Sequence, residues 1–255
     1  MSIKVRYLSK DEIELEAELL LAQYAETIGG PVKLPVPVDE ITKYHLALQL
    51  EFADLHDVLD VPRQRNTPDI LGAIWVDKEV ILIDEMLDPN GYPSMAGRYR
   101  FSVAHEIGHW CLHRDYVSKD TRQAALFDAP SEPTVICRSG LTREPIEWQA
   151  DKYASCLLMP RLKVREMWQE RFNSKRPLLL SSLKPNVDVM MRAHNLMCGQ
   201  GKSEVAAVND ALFEEVSKPI ARRFGVSPSA MRIRLEELGL LLREAPKQSA
   251  LTDSF

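Results

Sequence analysis

The chain has 255 residues, of which 45% are hydrophobic and 27% charged, and its formal net charge is −5 at pH 7. This composition is enough for one sizeable domain and a smaller one. No apolar run approaches the roughly 20 residues of a membrane span, and the first ten residues show no apolar signal region. The four cysteines form no C-x-x-C pair, so we expect reduced thiols in a cytoplasmic protein. Because there is no apolar span, we expect no membrane partner.

The elements predicted before the first chemical motif follow from turn residues and apolar periodicity. In chain order they are a helix over Asp11–Ile28 ended by two glycines, a linker over Pro31–Pro37, a short helix over Val38–Tyr44, a strand over Leu46–Phe52, a β-hairpin of Ile70–Trp75 with Val80–Ile83, and a longer helix from Met95 to His113 with Ser94 as N-cap.

The longer helix carries the pattern H-E-x-x-H at residues 105–109. Residues four apart share one helix face, so His105 and His109 can bind the same Zn²⁺. Glu106 points about 100° away, where it can take a proton from a zinc-bound water. Gly108 lies inside the motif, and a residue that small would let another backbone pass close to the metal. His113 lies about 12 Å along the axis from His105, too far to share a zinc, and we expect it to be packed or hydrogen-bonded.

Residues 114–143 are predicted to be a long loop, and loops of this length are usually functional or disordered. This loop contains Cys137. A thiolate is a good fourth zinc ligand and would displace the catalytic water, so Cys137 is a candidate inhibitory ligand. The alternative is a thiol without a role.

A second helix is predicted between Pro145 and Pro160, with apolar residues at helical spacing. Glu147 and Asp151 lie four apart on or beside its inward face, where charged groups are seldom found unless they are paired or bind metal. We therefore assign Glu147 as the third zinc ligand. Asp151 can accept the free N–H of a zinc-bound histidine and fix its tautomer, although it can also be a plain surface carboxylate.

A donor that steadies the oxyanion usually assists the metal in peptide hydrolysis. Tyr153, on the second helix, and His194, on a later helix, are the candidates. Neither follows a known spacing rule, and each can equally be a structural residue.

Two runs carry a family resemblance: RYRFSVAHEIGHWCLH at residues 98–113 and EWQADKYASCLLMP at residues 147–160. They resemble the ImmA/IrrE family of metallo-endopeptidases, and residues 36–41, 69–73 and 220–240 resemble its flanking parts. The resemblance implies a gluzincin-like site with Glu106 as base. It also implies a helix-turn-helix repressor as substrate, cleaved to switch on a stress, phage-defence or mobile-element response.

The C-terminal part is predicted to be helical from Val187, after a helix that ends at Phe172 and a loop over Asn173–Pro185. Residues 220–231 have the helix, turn, second-helix pattern of a helix-turn-helix. Between Lys218 and Arg243 six basic residues stand against two acidic ones, and a basic patch of this kind can contact DNA or single-stranded nucleic acid. The alternative is a structural three-helix unit.

We therefore predict an α+β fold. It comprises a gluzincin-like zinc peptidase domain over residues 1–175, with a small antiparallel sheet and several helices, a helical helix-turn-helix-like region over 186–245, and a flexible tail over 246–255. The function predicted is cleavage of a repressor by a zinc endopeptidase. The alternative is a DNA-binding or repressor-binding regulator that uses the zinc fold as a scaffold without proteolysis.

Overall fold

The computed structural model describes residues 5–63, 69–124, 135–138 and 144–245, and for residues 117–124 and 135–138 it describes the backbone only. The chain divides into two compact units, one with the residues up to Pro160 and Arg223–Val226, the other with Arg161–Arg222 and the residues from Ser227 onward. Within the described residues, every helix is too short or too polar to cross a bilayer. The predicted tail over 246–255 lies outside the described residues.

The first unit mixes helices with one sheet, which confirms the predicted α+β class. Its elements are α1 (Lys10–Ile28), α2 (Val38–Glu40) with a π-helical turn (Ile41–His45), β1 (Gln49–Ala53), α3 (Leu55–Val58), β2 (Ile70–Trp75), β3 (Val80–Asp84), α4 (Ala96–Ala124), β4 (Val135–Arg138) and α5 (Pro145–Leu158). A capping box of Ser9 and Glu12 begins α1, and Gly29, with φ at +67°, ends it as predicted.

The sheet has the strand order β1-β3-β2-β4, and its central pair is the predicted hairpin. The prediction of an antiparallel sheet was wrong in one pairing, because β1 runs parallel to β3. After β1 the chain passes over the neighbouring position and enters β2 in the reverse direction. The hairpin then places β3 next to β1 in the direction of β1.

The prediction of an unbroken loop over residues 114–143 was also wrong. Helix α4 continues to Ala124, and residues 135–138 form β4, which pairs with β2. The sequence explains the longer helix, since residues 114–124 contain neither glycine nor proline to end it.

Helix α4 packs against the sheet on one side and against α5 on another, while α1 packs on α5. The α4–α5 crossing is close at Gly108, where an added Cβ would lie 3.2 Å from both Cα and O of Ala150. As expected from the sequence, the glycine lets a second backbone approach the H-E-x-x-H motif.

The second unit is mainly helical. Its elements are α6 (Arg161–Phe172), β5 (Leu178–Leu179), a 3₁₀ turn (Leu180–Ser182), α7 (Val187–Gln200), α8 (Glu204–Phe224, whose last two residues belong to the first unit), α9 (Pro228–Glu237) and β6 (Leu241–Leu242). The expectation that only helices follow Val187 was wrong, because the short strand β6 pairs with β5. Its core joins Val189, Ala193 and Leu196 of α7 to Ala207 and Ala211 of α8.

A short turn joins α8 to α9. Gly225 adopts a φ of +64°, and the Ser227 side chain caps α9 by accepting from the Ala230 N–H. This is the local pattern of helix, turn and helix that the sequence indicates, but its assignment as a helix-turn-helix region stays a prediction. So does the domain division at residues 1–175 and 186–245; α6 groups with the second unit.

Candidate metal centre

Three buried side chains from two helices converge on one point. The Nε2 atoms of His105 and His109 on α4 lie 2.9 Å apart, and the carboxylate oxygens of Glu147 on α5 lie 3.2 Å and 3.4 Å from them. In a tetrahedral zinc site with bonds of 2.0–2.1 Å, neighbouring ligand atoms are about 3.3 Å apart. The three donors therefore fit one metal ion, and no other such group occurs among the described residues.

The protonation states of these donors also suit a cation. Burial lowers the pKa of His109 to about 3, so its ring is neutral at pH 7. Burial alone would raise the pKa of Glu147, but its contacts with the imidazoles of His105 and His109 outweigh burial and lower the pKa to about 2. A neutral imidazole and an ionised carboxylate are the forms that bind metal.

Glu106 is fully buried, and neither of its carboxylate oxygens has a hydrogen-bond partner among the described residues. Burial raises its pKa to about 8; the nearby His105 opposes this shift and the charge of Glu147 adds to it. A buried carboxylate without a partner is costly, so this group is placed to receive a partner other than the described residues.

Strand β2 reaches Glu106 through Gly72. A Cβ at Gly72 would lie 2.7 Å from Oε1 of Glu106, closer than real contacts allow. Sequence reasoning missed this glycine, because nothing in the local sequence shows which helix residue faces the strand.

Each of the two histidines in this cluster has a partner on its other ring nitrogen. Nδ1 of His105 lies 2.9 Å from Oδ1 of Asp151, the position that the sequence predicts for this carboxylate. Nδ1 of His109 lies 3.1 Å from Nδ1 of His113, whose Nε2 lies 3.0 Å from Oε1 of Gln149. Burial lowers the pKa of His113, although the bond to Gln149 opposes it, so that ring is neutral.

Comparison with known proteins agrees with this geometry. Residues 75–191 match the family profile described as the IrrE N-terminal-like domain, a peptidase profile. This match supports an ImmA/IrrE-type metallopeptidase domain over these residues. The family resemblance inferred from the sequence is thus confirmed, and the matched range includes both helices of the IrrE-like domain that present the three donors.

No curated protein matches the chain. Among solved structures, a Mycobacterium tuberculosis transcriptional regulator is similar, with a TM-score of 0.43 and 13% identity. The similarity covers 95% of this chain and 49% of that one, so the chain spans about half the length of that protein.

Tyr153 and His194 are the two candidate oxyanion donors predicted from the sequence. Tyr153 is buried, and burial followed by the neighbouring Cys111 raises the pKa of its hydroxyl well above the usual range. His194 lies on the exposed side of α7, with Nε2 3.7 Å from Sγ of Cys198. Their roles as oxyanion donors stay predictions.

The backbone of Cys137 in β4 pairs with Gly72, the residue at which an added Cβ would meet the Glu106 side chain. This places the strand segment of Cys137 next to the strand that borders the candidate centre. The Cys137 side chain lies outside what the structure describes, so its role as a fourth ligand stays a prediction.

Proposed function

We propose that this chain is a zinc-dependent endopeptidase that cleaves a helix-turn-helix transcriptional repressor. One observation carries the proposal: the converging donors of His105, His109 and Glu147 lie beside a buried carboxylate, Glu106, that has no hydrogen-bond partner among the described residues. Two imidazoles and one carboxylate, with a position left open, are a usual ligand set of catalytic zinc. A purely structural zinc site would have no need for such a base.

The roles follow from the positions. His105, His109 and Glu147 would hold the zinc ion, which when bound polarises the scissile carbonyl and lowers the pKa of the attacking water. Glu106 would take a proton from that water and deliver it to the leaving amine nitrogen. Because it makes no competing hydrogen bond among the described residues, both of its oxygens are available for this transfer.

The substrate class rests on the ImmA/IrrE resemblance. A repressor acts on DNA, so a peptidase that removes it would meet it in the cytoplasm. Its cleavage would switch on the genes it silences, in a stress, phage-defence or mobile-element response.

The charge pairing in the C-terminal part disfavours the alternative of a DNA-binding regulator. Four of the six basic residues between 218 and 243 lie against carboxylates: Lys218 against Glu215, Arg232 and Arg243 against Asp210 and Glu236, and Arg234 against Glu237. Cations neutralised in this way contribute little to phosphate binding. Contact with DNA or single-stranded nucleic acid would have to rely on the remaining basic residues.

The test uses the zinc-loaded chain and the repressor encoded beside its gene. Wild type should cut the repressor into two fragments, with one new N-terminus by mass spectrometry, and Glu106→Gln should leave it intact. Stoichiometric binding without fragments would instead indicate a regulator that acts by contact, and a mobility shift of operator DNA by the chain alone would indicate a DNA-binding protein. Either result, with no cleavage, would contradict the proposal.

A further inference from the structure

We infer that His113 and Gln149 are positioning residues that fix the tautomer and orientation of His109 through a hydrogen-bond chain ending on the backbone carbonyl of Arg6. The inference rests on the proposed metal site, because it concerns how one ligand of that site is aimed. It assigns a role to residues that supply no metal ligand.

The order of donors and acceptors along this hydrogen-bond chain follows from the group at its end, the backbone carbonyl of Arg6. The carbonyl oxygen of Arg6 can only accept, so the Gln149 side-chain amide 2.9 Å away donates to it through Nε2. That leaves Oε1 of Gln149 facing His113 as an acceptor at 3.0 Å. The Nε2 atom of His113 must therefore carry the hydrogen.

The next two links are then determined. Because Nε2 of His113 carries the hydrogen, its Nδ1 can offer a lone pair and accept from Nδ1–H of His109 at 3.1 Å. His109 consequently keeps the lone pair on Nε2, which is the atom that faces Nε2 of His105 and the Glu147 carboxylate. Reversing any link would leave a donor against a donor or place a proton where the metal should bind.

Burial makes this chain effective. His109 and His113 are each 1% exposed and Gln149 is not exposed at all, so water does not compete for these bonds. The two ligand histidines differ in this respect, because His105 is aimed by Asp151, whose carboxylate is largely exposed. His109 is thus oriented by buried, uncharged groups, whereas His105 is oriented by a solvent-exposed carboxylate.

Contacts of the N-terminal segment fix the Arg6 end of the hydrogen-bond chain. The ring of Tyr7 lies parallel to that of Trp148, with an interplanar angle of 4° and centroids 6.3 Å apart, one residue from each partner of the Arg6–Gln149 bond. Ser9 then caps α1, which packs on α5. The carbonyl that sets the orientation of Gln149 is therefore held by the contacts of the residues after it.

The experiment compares His113→Leu with His113→Asn. The two replacements have similar size, but Asn can place Oδ1 where Nδ1 of His113 stands and so accept from His109. Zinc affinity, measured by competition with a chromophoric chelator, should fall about 10–100-fold in His113→Leu and stay within a few-fold of wild type in His113→Asn. The visible spectrum of the Co²⁺-loaded protein should change in the Leu variant and be restored in the Asn variant.

His56→Leu is the matched control, since His56 is also buried and its Nδ1 also bonds to a neighbour, the carbonyl of Val61. It should lower thermal stability without changing zinc affinity. Gln149→Leu provides a second test if His113 variants fold poorly, and it should also weaken zinc binding. Equal zinc affinity in wild type, His113→Leu and Gln149→Leu would overturn the inference.

Failure of the proposed function looks different. A wild type that binds zinc one to one and cuts no repressor would contradict the peptidase proposal, while the affinity series would still decide the role of His113. A wild type that binds no zinc or Co²⁺ would overturn both.

Discussion

Replacing Gly72 by alanine should displace Glu106, the proposed base, and leave the candidate metal site intact. The added Cβ would lie 2.7 Å from Oε1 of Glu106, whereas ordinary contacts begin at 3.4 Å, so the carboxylate must move by about 0.7 Å. The atom that gives way is the end of a side chain. The free energy of unfolding should therefore fall by less than about 2 kcal/mol.

The effect on catalysis should be much larger. A misplacement near 1 Å can cost about 100-fold in rate, so we expect kcat/KM for repressor cleavage to drop by about that factor in Gly72→Ala. Zinc content should remain at the wild-type level, because the added Cβ meets the Glu106 side chain and none of the three candidate ligands. Gly30→Ala is the control, since a Cβ there meets nothing within 4 Å.

The measurements are fragment production over time, metal content by atomic emission, and thermal unfolding, on the same preparations. Full activity in Gly72→Ala would refute the idea that the glycine makes room for the base. Loss of zinc together with activity would show that the strand supports the ligands instead.

Three further outcomes follow from the same geometry. Glu106→Gln should bind zinc like wild type and lose cleavage by orders of magnitude, because the base is removed while the ligands stay; undiminished cleavage would contradict the mechanism. Glu147→Ala should lose zinc occupancy while Glu144→Ala, at the first-turn boundary of the same helix, should not, and equal metal content in the two would place the third ligand elsewhere. Zinc binding at pH 7 should release a proton from Glu106, because its pKa of about 8 keeps it protonated in the metal-free protein and a nearby cation would lower that pKa. Calorimetry in two buffers of different ionisation enthalpy measures the proton release. The release should shrink above pH 8, and Glu106→Gln should abolish it.

Local spacing was enough to predict the elements that present the three candidate metal ligands. Positions four apart on α4 put His105 and His109 on one face, and the run between Pro145 and Pro160 became α5. The hairpin of β2 and β3 was also predictable, because its strands are adjacent in sequence and joined by a short turn.

What the sequence did not reveal depends on contacts between distant segments. Gly72 matters only because the packing of β2 on α4 brings it to Glu106. Gln149 has no local mark of its role, which arises from His113 on another helix and from Arg6, 143 residues away in sequence. The parallel pairing of β1 with β3 likewise depends on which neighbour the strand finds in the folded sheet.

The crossing at Gly108 bears on how the centre loads its ion. Two helices that touch through Gly108 and the main chain of Ala150 have no side-chain rotamers to rearrange at that point, so the spacing of the three donors is set before a metal arrives. The candidate centre would then be preorganised, so metal binding would lose little free energy to the ordering of the donors. Removal of the metal by a chelator should accordingly be reversible without refolding. A bulkier residue at position 108 would move the two helices apart, so the metal would bind again more slowly and more weakly.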